Sequence, residues 1–409
     1  MSTRLRSARG RMRFATLLLA CTSLLVACAG STSDRPPDDP QATRMSRFRA
    51  LTYNTLHGLN VGRYWVRPGE TDEQRSARVT LQIEDMARVA PDVMLLQEVN
   101  PLPHMAATYV DGLRAHGLTY HEVHQVDACG VRPLPGVAVV PGLNNGLVVL
   151  VKAPLRVKKL EGLKLSGGFG LCHDRLGVQF GELRYALIAE VENPATRRKM
   201  LAVSLHLHSG IERDEYFTER LLAAQSEGTI QDQAAAQQIL NALAEDQKLR
   251  LEELRTLVQE LKRLHVAGSS VGVLVGGDFN FEPESPEYRA LQEAGLQDTY
   301  TIARRTGELQ TYDPGLNPIA REEEIELPPT LASIIQTLPD DQQQRIKDGY
   351  RRGVSQARRI DFLFLMLSEP SNPLSCLRQE LFGRPNAVTL GAGSDHFGVM
   401  DTYTTDGNC

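Results

Sequence analysis

Short apolar runs that close on a polar side chain recur along this chain and predict a series of strands. In the clearest run, Val271, Val273 and Val275 occupy every second position before Gly276 and Gly277. Apolar β-branched residues at this spacing are typical of a strand that enters a core. Asp278 and Asn280 follow at once, and they point to the same side if the strand continues. Taken alone, this stretch favours an Asx-type turn that leaves a buried strand over a ligand site.

The same pattern occurs at five other predicted strand ends. A carboxylate that closes an apolar run, such as Glu98 after Val93–Gln97, needs a partner because an unpaired buried charge is costly. An arginine or a hard divalent metal ion satisfies that need. His206 and His208 alternate along one strand and are expected to share a face. The polar residues at the six strand ends are Asn54, Glu98, His206, Asp278 with Asn280, Asp361, and Asp395 with His396.

Helical periodicity alternates with these strands and sets the fold class. Strands outnumber helices, and several are separated by gaps of hairpin length, which favours stacked mixed sheets over a doubly wound parallel sheet. We therefore predict an α+β fold. Helices are expected at 73–90, 103–116, 231–265 and 285–294, with helical insertions near 211–244 and 322–352. Loops are expected at 160–181, 310–320 and 370–392 because glycine and proline are frequent there.

The N-terminus carries the pattern of an export signal. Five arginines precede the apolar run Phe14–Ala27, which is too short for a comfortable membrane span. The run ends in Leu25–Cys28, which resembles the lipobox of bacterial lipoproteins. The resemblance implies cleavage before Cys28 and lipid attachment to its sulfur, and an ordinary secretory signal is the alternative. Residues 29–45 are polar and proline-rich, as in a flexible tether.

This interpretation gives three segments and a location. Residues 1–27 are the signal peptide, 28–45 the lipid-anchored tether, and 46–409 one folded domain. We expect an exported protein of the bacterial cell envelope, anchored through lipid at the outer membrane or the cell surface. No protein partner is implied.

Charge and cysteine content narrow the function classes. The chain has 45 Lys and Arg against 50 Asp and Glu; the predicted signal contains five Arg and no acid, so its removal leaves 40 against 50. A net charge near −10 disfavours broad binding to a phosphate backbone but leaves room for a local nucleic-acid site. Four cysteines remain outside the signal and the lipid site, and chain order suggests pairing Cys129 with Cys172 and Cys376 with Cys409.

If the fold gathers the six strand ends, they form an acidic pocket with two histidines. That combination suits a divalent metal ion and acid–base chemistry on an anion, as phosphoester hydrolysis requires. A metal ion neutralises phosphoryl oxygens, and a histidine paired with a carboxylate takes a proton from water.

At these positions the chain resembles the endonuclease/exonuclease/phosphatase superfamily with the deoxyribonuclease I-like fold. The matching segments occur in the family's order and span nearly all of the chain after the tether. They are Thr52–Asn54, Leu96–Val99, Ser204–Leu207, Gly277–Asn280, Arg359–Phe362 and Ser394–His396.

The resemblance implies a four-layer α/β/β/α sandwich, in which two mixed sheets are flanked by helices. It also implies a Mg²⁺ ion, with Mn²⁺ or Ca²⁺ as alternatives, held by Glu98 with Asn54 and Asp395 nearby. The remaining roles follow from the same resemblance: His396 is the general base, Asp361 orients it, Asp278 positions water or shares the metal, and Asn280, His206 and Asn145 contact the substrate.

Two stretches are similar to neutral and bacterial sphingomyelinases, namely Thr311–Ala320 and His206–His208. This similarity favours a phosphodiester in a phospholipid headgroup as substrate. An exported nuclease and a catalytically silent binding lipoprotein are the alternatives. One departure is that the predicted loop 370–392 offers only Leu381 and Phe382 where those enzymes carry an aromatic membrane-entering hairpin.

Overall fold

Two twisted sheets face each other in the computed structural model, and helices cover their outer faces. The structure describes residues 47–56, 70–129, 144–172, 178–209, 233–267, 270–305, 309–322, 327, 329–367, 376–385 and 391–404. The predicted signal peptide, Cys28, the tether and the part of the first insertion at 211–232 lie outside these residues.

Thirteen strands are found in the described part of the chain, in two mixed sheets. Sheet A has the order β10-β12-β13-β1-β2-β4-β3, and sheet B the order β5-β6-β7-β8-β11-β9. The strands are β1 Arg47–Asn54, β2 Val93–Val99, β3 Tyr120–Cys129, β4 Asn144–Lys152, β5 Arg156–Leu171, β6 Val178–Glu192, β7 Lys199–His206, β8 Ser270–Asp278, β9 Gln297–Asp298, β10 Arg304–Arg305, β11 Asp361–Leu367, β12 Cys376–Phe382 and β13 Gly398–Thr404.

Eight helices are described, and the long ones lie on the two outer faces. Leu254, Leu257 and Leu261 of the longest helix pack on the outer face of sheet B, while Met86 and Tyr109 belong to the core of sheet A. No helix among the described residues is long and apolar enough to cross a membrane. The helices are α1 Asp72–Val89, α2 His104–Ala115, α3 Gln233–Ala267, α4 Pro286–Glu293, α5 Thr299–Ile302, α6 Pro318–Glu322, α7 Pro329–Ile335 and α8 Asp340–Val354.

Strand alternation explains how the layers stack. Val273 and Val275 of β8 face the helical layer, whereas Leu274 between them belongs to the core that the two sheets share. Gly276 lies where the sheets approach most closely, because a Cβ there would stand 2.7 Å from Leu95. The predicted four-layer α/β/β/α sandwich is therefore confirmed.

Two segments that were predicted as loops are strands. The described part of 160–181 lies largely in the β5–β6 hairpin, whose pairing has three register shifts, one of them between Gly167 and Phe169. Residues 370–392 contain β12, which pairs with β13. In β12 the polar Gln379 takes a buried position and donates to Asp401, which hides the apolar alternation. Phe382 is buried against Tyr53, so it offers no membrane-entering tip.

The helical insertions form a small core of their own. Ile239 and Leu243 of α3 pack against Leu331 and Ile335 of α7 and Ile346 of α8. The helical character predicted for 322–352 and for the described part of 211–244 is therefore confirmed.

A disulfide links the two sheets at one end. Cys129 ends β3 and Cys172 follows β5, with a Cα–Cα distance of 5.5 Å. This confirms the pairing that chain order suggested. The second suggested pair involves Cys409, which lies outside the described residues.

Asp401 of β13 gives the fold a pH dependence that can be measured. The residue is fully buried and accepts hydrogen bonds from Gln379 and Tyr403. Burial raises the pKa of Asp401 to about 7, against about 3.9 in an unfolded chain. Because the folded pKa is the higher, the stabilisation is complete below about pH 4 and is lost as the pH rises through about 7.

We therefore expect Asp401→Asn to flatten the decline in the free energy of unfolding between pH 4 and pH 8. The difference from wild type is at most about 4 kcal/mol, at about 1.4 kcal/mol for each pKa unit. Urea denaturation at several pH values measures it. If the free energy of unfolding declined with pH equally in the variant and the wild type, the expectation would be contradicted.

Candidate active site

The carboxyl edge of sheet B brings three of the predicted residues into one row. His206 at the end of β7 pairs in register with Asp278 at the end of the parallel strand β8. Asp361 begins β11, which runs antiparallel to β8, and it also pairs with Asp278. Gly277 permits this spacing because a Cβ there would lie 2.1 Å from the Leu205 carbonyl oxygen.

Sheet A presents its own row to the same edge. β1 ends at Asn54 beside β2, and a register shift between Leu96 and Val99 distorts β2 around Glu98. Glu98 has a φ of 56°, a conformation that non-glycine residues seldom adopt and that often marks functional sites. Ser394–His396 lie just before β13, the antiparallel partner of β1.

A cross-sheet pair of polar residues fixes the two rows against each other. The Gln97 side chain donates to Ser204 Oγ at 3.0 Å, and Ser204 donates to the Leu96 carbonyl oxygen at 3.0 Å. Both side chains are fully buried. Since fully satisfied buried polar contacts specify one arrangement, this pair sets the sheet separation next to the site.

Asn54 bridges two of the acids. Its Nδ2 donates to Glu98 Oε1 at 3.2 Å and to Asp278 Oδ2 at 3.1 Å. His206 lies against the same two carboxylates, with Nδ1 4.0 Å from Glu98 and Nε2 3.6 Å from Asp278. The structure thus gathers Asn54, Glu98, His206 and Asp278, which come from four strands and both sheets.

His396 and Asp361 form a hydrogen-bonded pair, which we call the dyad. His396 Nδ1 lies 2.8 Å from Asp361 Oδ2, and His396 Nε2 lies 3.8 Å from Asp278 Oδ2. An ionised carboxylate only accepts hydrogen bonds, so in the neutral imidazole Nδ1 carries the proton and Nε2 is left to accept one. This arrangement lets His396 remove a proton from a water molecule placed near Asp278.

Burial and neighbouring charges shift the pKa values of two site residues, Asp278 and His396. Burial raises the pKa of Asp278 to about 7, and the charges of Asp361 and Glu98 add to the rise. Burial by itself would lower the pKa of His396, but Asp361, Asp395 and Asp278 outweigh it and raise that pKa well above its usual value. Perturbed acids and bases at one cleft are typical of catalytic sites.

The donor set fits a divalent metal ion. Ligand atoms of Asp278, Asp361 and His396 all lie within 4.8 Å of one another. Asp361 Oδ1 is buried and has no hydrogen-bond partner among the described residues, and such an atom is costly unless a ligand or cation satisfies it. Oxygen donors and clustered negative charge are what Mg²⁺ and Ca²⁺ prefer.

Glu98 borders this donor set and is more exposed than the two aspartates. The His396 Nδ1–Asp361 Oδ2 hydrogen bond occupies two of the three grouped residues. The Glu98 side chain is 12% exposed, compared with 3% for Asp278 and 0% for Asp361. A divalent cation bound at this site would supply charge that favours ionised carboxylates and offsets the negative phosphoryl oxygens.

Of the remaining predicted residues, Asp395 and Asn280 have defined hydrogen-bond partners. Asp395 Oδ1 accepts from Ser394 Oγ at 3.0 Å. β8 ends at Asp278, so the alternation of a continuing strand does not apply to Asn280, whose φ is 51° and whose side-chain amide donates to the Leu207 carbonyl oxygen at 3.0 Å. Asn145 is buried at the start of β4, and its Oδ1 lacks a hydrogen-bond partner among the described residues.

His208 does not share the environment of His206. Its Nε2 lies 3.0 Å from Asp246 on helix α3, whereas His206 lies against Glu98 and Asp278. β7 ends at His206, so the strand alternation that predicted a common face does not extend to His208.

The segment Thr311–Asn317, which sequence reasoning used only as a sign of substrate type, packs directly on the dyad. Tyr312 forms bridges with Arg358 and His396, and its ring lies 5.5 Å from the His396 ring. Thr311 and Asn317 are fully buried. Only the structure shows that this threonine and this asparagine are buried, so the sequence offered no signal for their structural role near the site.

Comparison with known proteins decides the family. The sequence pattern of the Endonuclease/Exonuclease/phosphatase family matches residues 51–396. The chain belongs to this family. The matched span includes the predicted site residues from Asn54 to His396, so the resemblance found in the sequence is confirmed.

Solved structures of the family share the fold of this chain. One is truncated TDP2 from Caenorhabditis elegans, with 15% identity and a TM-score of 0.50, covering 88% of this chain and 98% of that one. Another is an endonuclease/exonuclease/phosphatase protein from Bacteroides vulgatus, with 15% identity and a TM-score of 0.51, covering 87% and 98%. Family membership makes this chain a metal-dependent phosphodiesterase of the hydrolase class.

Metal binding is expected to stabilise the protein in a pH-dependent way. A ligand at a hundred times its Kd adds about 2.7 kcal/mol to the free energy of unfolding, so Mg²⁺ should raise the melting temperature relative to EDTA. Because Asp278 must lose a proton to accept the cation, the affinity should fall about tenfold for each pH unit below 7.

Two buried acids provide a matched comparison for this prediction. Asp278 and Asp401 both have pKa values raised to about 7, but only Asp278 lies at the site. Calorimetry should show that Mg²⁺ no longer raises the melting temperature of Asp278→Asn but still raises that of Asp401→Asn. Equal responses in the two variants would place the ion elsewhere.

Proposed function

We propose that this enzyme hydrolyses the phosphodiester bond of a phospholipid headgroup by direct attack of water, with Mg²⁺ as the cation. The observation that carries the reaction is the dyad, in which His396 is held by Asp361 with Nε2 directed toward Asp278. The rest of the proposal concerns the residue roles, the substrate and the location.

In this proposal His396 takes a proton from water, and Asp278 orients that water. Asp361 keeps His396 in the required tautomer, as a buried carboxylate does for other catalytic histidines. His206, Asn280 and Asn145 donate hydrogen bonds to the phosphoryl oxygens and stabilise the charge that develops on them. Glu98, Asn54 and Asp395 would hold Mg²⁺, which Asp278 would share, and no covalent enzyme intermediate is formed.

The site's surroundings support a lipid substrate. Leu316 is 50% exposed, and it lies in the segment whose Tyr312 packs on His396. Exposed leucine next to a catalytic site suits contact with acyl chains, since burying such a side chain contributes about 1.5–3 kcal/mol. The acidic net charge disfavours extended nucleic-acid binding.

The N-terminal segment adds a second line of support. Lipid attachment at Cys28, followed by a flexible tether, would confine the domain to a membrane surface of the bacterial envelope. Confinement raises the effective concentration of a membrane substrate at the active site, as linking two binding sites does for the second binding event.

A substrate panel tests the proposal. Purified protein with Mg²⁺ is incubated with sphingomyelin vesicles, phosphatidylcholine vesicles, plasmid DNA and bis(p-nitrophenyl) phosphate. We expect release of a phosphorylated headgroup from one of the vesicles, and loss of that release in His396→Ala. DNA nicking without headgroup release would identify an exported nuclease instead.

Leu316 and Ile302 give a matched pair for the membrane contact. Ile302 is 40% exposed and lies in helix α5, outside the Thr311–Asn317 segment. We expect Leu316→Ser to raise the apparent KM for vesicles about 3–10-fold, because only the exposed half of the leucine, 50%, remains to be buried in the membrane. Activity on soluble bis(p-nitrophenyl) phosphate should stay unchanged, and Ile302→Ser should leave both activities unchanged.

A further inference from the structure

The dyad joins two sheets that share no backbone hydrogen bonds at this point. Asp361 begins β11 of sheet B, whereas His396 precedes β13 of sheet A. Sheet pairing therefore fixes each residue within its own sheet but leaves their mutual distance open. Something else must hold His396 Nδ1 at 2.8 Å from Asp361 Oδ2.

Thr311 contacts the backbone on both sides of this pair. Its Oγ1 accepts hydrogen bonds from the N–H groups of Ile360 and Asp361, both at 3.1 Å. Its carbonyl oxygen accepts from the N–H of Phe397 at 2.6 Å. One fully buried threonine thus ties the start of β11 to the residue after His396.

Asn317 holds the other side of His396. Its Nδ2 donates to the carbonyl oxygens of Ser394 and Asp395, both at 2.9 Å. Its Oδ1 accepts from the N–H of Ile319 at 3.0 Å, so the amide is engaged at both ends and cannot rotate freely. The backbone on both sides of His396 is therefore anchored to the Thr311–Asn317 segment.

We propose that the Thr311–Asn317 segment is a positioning element, in which Thr311 and Asn317 set the His396–Asp361 geometry across the two sheets. Both residues act through the dyad, so this inference rests on the catalytic role proposed for that pair. Misplacement of catalytic groups by about 1 Å lowers rates by as much as about 100-fold. The segment therefore governs turnover, separately from any contact between Leu316 and the substrate.

Thr311→Val is the sharpest test because valine matches threonine in shape and lacks the hydroxyl acceptor. On bis(p-nitrophenyl) phosphate with saturating Mg²⁺, we expect kcat to fall about 10–100-fold and KM to change less than about twofold. Thr311→Ser keeps the hydroxyl and should recover kcat to within about threefold. Asn317→Asp, which removes both donors, should lower kcat in the same way.

Thr299 provides a matched control. It is also fully buried, and its Oγ1 donates to the Leu363 carbonyl oxygen of β11 at 2.9 Å, away from the dyad. Thr299→Val should lower stability to a similar extent as Thr311→Val and leave kcat per folded molecule unchanged. Equal losses of kcat in the two variants would reduce Thr311 to a general structural role.

A double mutant separates positioning from structure. If Thr311 acts through His396, adding Thr311→Val to His396→Ala should change the residual kcat by less than about twofold. The same fold-loss in both backgrounds would overturn the proposal while leaving phosphodiester hydrolysis intact.

A spectroscopic signature tests the segment without substrate. The proton between His396 and Asp361 should give a low-field NMR signal that is absent in His396→Ala and kept in Thr311→Ser and Thr299→Val. We expect the signal to shift or vanish in Thr311→Val. An unchanged signal in Thr311→Val would overturn the positioning role, whether or not the wild type hydrolyses a phosphodiester. Absence of hydrolysis by the wild type would count against the proposed function instead.

Discussion

Replacing His396 with alanine is expected to lower kcat by about 10²–10⁴-fold, the usual contribution of a positioned general base. The ring nitrogen that faces Asp278 at 3.8 Å is the atom that would accept the proton of water, and the alanine variant lacks it. Steady-state hydrolysis of bis(p-nitrophenyl) phosphate at pH 8 measures the loss. KM should change little, because the interaction is made mainly in the transition state.

His208 is the control for this variant. It is also a histidine hydrogen-bonded to a carboxylate, Asp246, at 3.0 Å, but it faces helix α3. His208→Ala should retain kcat to within a few-fold. Asp361→Asn should lose activity like His396→Ala, and the two changes together should cost little more than either alone, since residues that act as a unit are not additive. Full additivity would argue against a dyad.

Replacing Glu98 with glutamine is expected to have the second-largest effect, through the cation. The change removes one negative charge from the most exposed of the site acids while keeping the oxygen that accepts from Asn54 Nδ2 at 3.2 Å. Loss of a charged ligand should raise the Mg²⁺ concentration for half-maximal activity about 10–100-fold, the range seen when metal-site contacts are removed. Titration of activity and of melting temperature with MgCl₂ measures the shift.

Glu122 supplies the comparison for Glu98. Its carboxylate also lies beside a histidine on a strand, 2.9 Å from His124, but on β3 away from the site. Glu122→Gln should leave the Mg²⁺ titration unchanged. If Glu98→Gln also titrates like wild type at both readouts, the ion is held by Asp278, Asp361 and His396 alone.

The sequence determined the chemistry of the site because the relevant signals are local. Each strand end combines an apolar run with one polar residue, and that pattern survives any arrangement of the strands. Asn54, Glu98, His206, Asp278 and Asp361 could thus be proposed before their neighbours were known, as could the pairing of His396 with Asp361 that the family resemblance implied. The four-layer fold followed from the same segments, since their order matches the family.

Tertiary structure alone decided the contacts that run between distant parts of the chain. The β5–β6 hairpin and β12 were predicted as loops, because glycines in bulges and a buried Gln379 mask the alternation that marks a strand. The packed structure also decided between a continuing strand and the Asx-type turn: Asn280 has a φ of 51°, and its N–H donates to Asp278 Oδ1 at 3.0 Å.

Thr311 and Asn317 show most clearly which contacts the sequence cannot indicate. Their hydrogen-bond partners lie 50 and 78 residues away in the chain, at the ends of strands from different sheets. Side-chain periodicity reports which face of an element is buried, and it carries no information about what a buried polar atom meets. The residues to which we assign the chemistry could therefore be inferred from the sequence, whereas the residues that hold them in place required the packed sheets.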